Sequence, residues 1–202
     1  MAGAHGGRFH YISPNTDLLG WVIERATGLR FADLMSTYIW RPMRAQYSAY
    51  ITVDRLGAPR CAGGICATAR DLARVGQLVA EDGACGDVQV IPHAWIDDIT
   101  TNGSTDAWAA GDFAPFFPGR QIHYRSKWYV DPGEAPLLFG LGIHGQYLFV
   151  DRQNQIVIAI LSSQANPLDA ELISLTMAAV SSLRQVLVLS GMSGPACGTA
   201  RG

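Results

Sequence analysis

A mixed α/β (α+β) fold, an antiparallel sheet flanked by helices, is what this sequence predicts, on three observations. The first half places apolar residues at helical spacing behind helix-entry signals. The last third holds four β-prone runs joined by short turns. The chain's 202 residues, 49% hydrophobic and 16% charged, are ordinary material for one domain or part of a larger one. The expected division is a disordered stretch at 1–8, a folded portion at 9–188 and a disordered tail at 189–202, rich in Gly and small residues.

Residues 15–26 read as a first helix, with Leu18, Leu19, Val22 and Ile23 as its buried stripe and Gly28 as its left-handed stop. A second helix is expected over 30–40, ended by Arg41-Pro42 because the residue before a proline is pushed out of helical geometry. Residues 47–53 read as extended. After the Gly63-Gly64 turn, Thr68-Ala69-Arg70-Asp71 is a capping-box pattern ahead of Leu72, Val75, Leu78 and Val79, so a helix starts there. Residues 92–100 form another short helix with Pro92 in its first turn, and 101–119 form a long loop. Strands are expected over 124–130, 137–143, 146–150 and 155–161, antiparallel because the turns are short. A long helix over 169–187 then covers one sheet face.

Composition removes several classes of function. A net charge of −2 and a pI near 6.2, with Arg scattered, give no footprint for nucleic acid or an anionic membrane, and neither partner is expected. The longest apolar run, Ile156-Val157-Ile158-Ala159-Ile160-Leu161, has the length of a strand rather than of a membrane span. The N-terminal residues lack the basic and apolar regions of a signal peptide, which favours the cytoplasm. Cys61, Cys66, Cys85 and Cys197 are irregularly spaced and read as buried free thiols. The five His residues are dispersed, so neither a structural metal nor a cofactor is expected. Asn102-Gly103-Ser104 fits a glycosylation sequon but reads as loop. Gly140-Leu141-Gly142-Ile143-His144-Gly145 matches the dinucleotide fingerprint G-x-G-x-x-G, yet that motif needs a helix after it, and Gln146-Tyr147-Leu148-Phe149-Val150 is β-prone. The glycines are read instead as a strand that a ligand can approach closely.

Chemistry concentrates at Tyr11-Ile12-Ser13-Pro14-Asn15, where a phenol and a hydroxyl meet at a helix entrance. Such a Tyr carries protons only beside a nucleophile. No Ser in this sequence is followed three residues later by Lys, and Lys127 is the only lysine. Taken with Arg41-Pro42-Met43, the stretch from Gly63 through Thr68 to Arg74, and Gly142-Ile143-His144-Gly145-Gln146, the Tyr-x-Ser segment resembles the serine β-lactamase and penicillin-binding-protein superfamily. The esterase and 6-aminohexanoate-dimer hydrolase branch is the nearest in look, over residues 9–187.

The resemblance implies a β-lactamase/transpeptidase-like fold, incomplete at the N-terminus, and acyl transfer on a small ester or linear amide substrate. Three elements do this work: a Ser-x-x-Lys nucleophile, a proton-carrying Tyr and a strand whose N–H completes an oxyanion hole. Carried over by position, Tyr11 is the catalytic proton carrier, Ser13 stands where many relatives have Asn, Gly142 ends the Lys-Thr-Gly strand motif and Ile143 supplies the oxyanion donor. Ser13 has a second reading as a helix cap. His144 reads as a strand residue facing away from the site, and Trp128 and Tyr129 as packing residues. Gly140 stands where β-lactamases carry the Lys that anchors the lactam carboxylate, so β-lactams are disfavoured. Arg44 occupies a position that is often Gly in relatives, which bears on the turn after the second helix. The absent Ser-x-x-Lys makes the chain look like the C-terminal portion of such an enzyme, inactive alone. The rival reading is a non-catalytic fragment or binding module of the same fold. Dimerisation through an exposed sheet edge is the expected self-association.

Overall fold

The computed structural model describes residues 6–191. Its centre is a five-stranded antiparallel sheet of β5 (His123–Arg125), β6 (Trp128–Asp131), β7 (Leu137–Gly142), β8 (Gln146–Asp151) and β9 (Ile156–Ile160), paired in sequence order. Both faces are covered, which is why these strands read as continuous apolar runs. On one face Tyr129, Leu137, Phe139, Tyr147 and Phe149 pack with Ile173, Met177 and Val180 of α6 (Ala170–Leu189). On the other, Val130, Leu138, Leu148 and Val150 meet Val79 and Ala80 of α3 (Ala69–Ala80) and Ile96 and Ile99 of α4 (His93–Thr101). Two hairpins lie outside this sheet: β1 (Tyr50–Ile51) with β2 (Ile65–Cys66), and β3 (Ala84–Cys85) with β4 (Val88–Gln89).

The helix-entry signals act locally. Thr68 accepts the Asp71 N–H at 3.1 Å and donates its hydroxyl to the Asp71 carboxylate at 2.8 Å. That carboxylate does not return to the Thr68 backbone, as a full capping box would. It reaches instead to the N–H groups of Gln46 (2.7 Å) and Tyr47 (3.1 Å), fastening the start of the β1 segment to α3. Asp169 caps α6 by accepting from Glu171 and Leu172, both at 3.1 Å.

Several expectations are corrected. Residues 124–130 are a hairpin rather than one strand: Ser126 (φ 48°) and Lys127 (φ 73°) make a two-residue turn without the usual Asn or Gly. The second helix is α2 (Phe31–Met35) followed by a π turn over Ser36–Trp40, and Arg41 stays helical despite Pro42. The 101–119 loop contains α5 (Thr105–Ala109), capped by Ser104, whose Oγ accepts the Ala107 N–H at 3.1 Å. Of α1 (Pro14–Thr27), Gly20 alone is buried, and Leu18, Leu19 and Val22 face outward. Cys66 is free but exposed, Cys61 is free and half-buried, and Cys85 is disulfide-bonded. Cys197 and the rest of the tail from 192 lie outside the described residues, as do residues 1–5, while Leu189 still belongs to α6 and Arg8 is engaged with Asp112.

The helix α6 also overturns the reading of apolar runs: at 20 residues and mean hydropathy 1.7 it is long and apolar enough to cross a membrane. Scattered Ser, Thr and Gln hide this from a search for unbroken runs. Here it packs on the sheet, and Arg184 near its end binds the buried Asp151 carboxylate at 2.6 Å and the Ala135 carbonyl at 2.8 Å.

Candidate active site

Tyr11 is positioned by the segment in front of it. The Phe9 N–H donates to Ala107 O at 2.8 Å, and Phe9 O accepts from the Asp112 N–H at 3.3 Å. The Asp112 carboxylate takes both Arg8 and His10, and those bonds, His10 first, hold its carboxyl below the usual range. The chain then enters α1 with the Tyr11 ring 5.5 Å from Phe113 and 6.4 Å from Tyr124. Asp112 and Phe113 lie in the segment read only as loop, and no motif marks them.

The surroundings are aromatic and disfavour charge. Burial pushes the phenols of Tyr124 and Tyr129 well above their ordinary range, and the neighbouring tyrosines add to it. Lys127, on the exposed β5–β6 turn, is the sole lysine. Ser13 occupies the helix entrance with half-buried, helical backbone. Its side chain makes no cap hydrogen bond, so the capping role is not realised.

At the other end of the site, β7 pairs with β8 along its whole length, from Leu137↔Asp151 to Gly142↔Gln146. Its pairing with β6 stops at Tyr129↔Phe139. The backbone of residues 140–142 is therefore open on the β6 side. A Cβ added at Gly140 would meet nothing within 4 Å. Ile143, 61% exposed, follows in the turn, and no hydrogen bond from its N–H is found among the described residues. His144 is a turn residue with φ 59°, correcting its strand assignment. It is tied to the segment after β9 by its N–H to Pro167 O (3.0 Å) and its Nδ1 beside Gln164 O (2.8 Å). No helix follows Gly145, and the chain runs directly into β8.

Tyr11 and Ser13 share one end of α1, while Gly142 and Ile143 share the end of β7. No hydrogen bond or ring contact joins the two pairs among the described residues. A chain of rings spans the interval, Tyr11 to Tyr124 to Tyr129 to Phe139, with centroids 6.4, 4.8 and 5.2 Å apart. Trp128 and Tyr129, adjacent in β6, pack on opposite faces of the sheet.

The sequence matches the beta-lactamase family over residues 1–180. This chain belongs to that family. It is 39% identical over 161 residues to the 6-aminohexanoate-dimer hydrolase of Paenarthrobacter ureafaciens, covering 80% of this chain and 41% of that one. A Bacillus anthracis structure proposed to be a 6-aminohexanoate-dimer hydrolase superposes with a TM-score of 0.79 at 25% identity, covering 96% of this chain and 47% of the other. The octameric penicillin-binding protein homologue of Pyrococcus abyssi has the same fold, with a TM-score of 0.62 at 18% identity, covering 91% of this chain and 44% of that one. The chain spans less than half the length of these relatives.

Proposed function

We propose that this chain carries the proton-relay and oxyanion portion of a serine hydrolase that cleaves ester or linear amide bonds, and that the nucleophile comes from a Ser-x-x-Lys segment outside this sequence. The observation that carries the reading is the β7 end, where β6 departs after Phe139 and leaves open backbone beside the exposed Ile143.

In this reaction the serine Oγ bonds to the substrate carbonyl carbon while its proton passes to the Lys or Tyr11. The Ile143 N–H donates to the oxygen as it gains negative charge, where a preorganised donor is worth about 10²–10³ in rate. Tyr11 delivers a proton to the leaving alcohol or amine as the ester or amide bond breaks, and water then cleaves the acyl-enzyme. A phenolate needs a nearby cation, and the Tyr124 and Tyr129 rings beside Tyr11 supply none. Lysine of the Ser-x-x-Lys segment fits that requirement. Ser13 and Gly142 border the substrate. The space at Gly140 lacks the cation that would hold a lactam carboxylate, and esters and linear amides are accordingly the favoured substrates.

The test uses two proteins. The chain alone should take no serine-directed fluorophosphonate label. A chimaera in which it replaces the aligned stretch of the Paenarthrobacter ureafaciens hydrolase should be labelled at one Ser and hydrolyse p-nitrophenyl esters, with Tyr11→Phe lowering kcat by about 10²–10⁴-fold. Labelling of the chain alone, or an unchanged kcat in the variant, would refute the assignment. A folded chimaera with neither label nor turnover would favour a non-catalytic module.

A further inference from the structure

The turn that carries Ile143 contains a residue its backbone does not favour. Residues 143–145 reverse the chain between β7 and β8, and both His144 (φ 59°) and Gly145 (φ 81°) take the left-handed conformation. Gly145 does so freely, and a Cβ there would stand 2.5 Å from the Gln164 side chain, which packs against it. His144 pays for a conformation that Gly adopts at no steric cost. Its side chain supplies a return: Nδ1 lies 2.8 Å from Gln164 O. A carbonyl oxygen only accepts, so Nδ1 carries the proton and donates. The backbone of His144 binds the same segment, accepting from the Gln164 N–H at 3.1 Å and donating to Pro167 O at 3.0 Å. The Gln146 side chain adds a further tie, donating to Ser162 O at 2.5 Å and accepting from the Ser162 N–H at 3.3 Å.

We infer that His144 is a positioning residue: its imidazole, through the bond to Gln164 O, clamps the turn so that the Ile143 N–H stays aimed at the oxygen of the reacting carbonyl. The inference rests on the oxyanion role proposed for Ile143. Ile143 is 61% exposed, so packing does little to fix its backbone. On its N-terminal side stands Gly142, paired with Gln146 on β8 but open on the side that β6 has left. The direction of the Ile143 amide is therefore set from the C-terminal side, where His144 is bound at its N–H, its carbonyl and its ring. An oxyanion donor acts by being in place before charge develops, and a misplacement of about 1 Å can cost about 10² in rate. His144 itself touches no reacting atom in this account and acts only through Ile143.

The experiment compares His144→Gly with His144→Asn. Glycine relieves the left-handed backbone but loses the donor, whereas asparagine tolerates that backbone and places its amide nitrogen where Nδ1 stands. In the chimaera with the Paenarthrobacter ureafaciens hydrolase, His144→Gly should lower kcat by about 10²-fold with KM unchanged, the mark of a contact made only in the transition state. His144→Asn should restore most of that loss. In the full chain alone, labelled with ¹⁵N at isoleucine, the Ile143 amide should have an order parameter of about 0.85 in wild type and His144→Asn and below about 0.6 in His144→Gly. A glycine variant with wild-type kcat, or an Ile143 amide as rigid in it as in wild type, overturns the inference. A raised KM at unchanged kcat overturns it in favour of a substrate contact. Equal loss in both variants overturns it by giving His144 a role other than the Nδ1 bond. A folded chimaera without turnover, with the Ile143 amide behaving as stated, upholds the clamp and removes the serine-hydrolase reading.

Discussion

Replacing Asp71 by Ala removes one fully buried carboxylate and three of its partners: the Gln46 and Tyr47 N–H groups and the Thr68 hydroxyl. A hydrogen bond to a charged acceptor contributes about 1.5–3 kcal/mol, so the two backbone donors alone represent about 3–6 kcal/mol. Gln46 and Tyr47 are exposed, and water recovers part of that loss. Arg74 works in the opposite direction. Its Nε is buried without a hydrogen-bond partner, 3.8 Å from the carboxylate, and would lose the negative charge that compensates it. The net expectation is a loss of ~3 kcal/mol from a total on the order of 5–15 kcal/mol. Asp71→Asn keeps one acceptor oxygen and should lose about half as much. Urea unfolding followed by circular dichroism, with equal m-values, measures both. An alanine variant within about 1 kcal/mol of wild type would refute the claim that this carboxylate fastens the β1 segment to α3.

Two further outcomes are expected. Burial holds the His123 imidazole below its ordinary pKa, against a smaller opposing effect of its bond to Thr100 O, so the unfolded chain binds its proton more readily than the folded one. Stability from this group is complete above the unfolded pKa of about 6.5 and is lost as pH falls below it; the urea midpoint should decline from pH 8 to pH 5.5, and His123→Leu should flatten that slope, a slope surviving the substitution ruling His123 out. The outer edge of β9, Ile-Val-Ile-Ala-Ile without a charge, is unpaired among the described residues, and α6 exposes Leu175 and Val186. The chain alone should bind a hydrophobic dye or self-associate, and Val157→Lys should reduce either; a monodisperse monomer that binds no dye would show these surfaces to be adequately covered.

Period and punctuation made most elements legible. Thr68 and Asp71 mark the start of α3, Pro92 that of α4, and Asp169 caps the final helix, because a cap depends on residues within three positions of one another. What stayed hidden depends on distant partners. The Ser126-Lys127 turn carries no turn residue, and both residues accept positive φ because Tyr124↔Tyr129 and Arg125↔Trp128 pair on either side. The π turn before Arg41 similarly lets helical backbone run up to Pro42. Asp112 was invisible as a positioning group because its partners, Arg8 and His10, lie about a hundred residues away.

The candidate site shows the same division. The Tyr11 motif and the Gly140–Gly142 strand could be read as letters, since their chemistry needs particular residue types in short order. The departure of β6 from β7 could not, because it is a relation between two strands. The inversion of α1 marks the limit most clearly. A stripe of Leu18, Trp21 and Val22 says that a face calls for covering, but periodicity never says by what. The expectation of a buried stripe assumed that the cover lay within these residues. The structure turns Asp17, Gly20 and Glu24 inward instead, satisfying two backbone donors and a close sulfur contact, and so spends the helix's polar groups on its own chain. A surface helix normally buries such a stripe and solvates its charges, and α1 does the reverse.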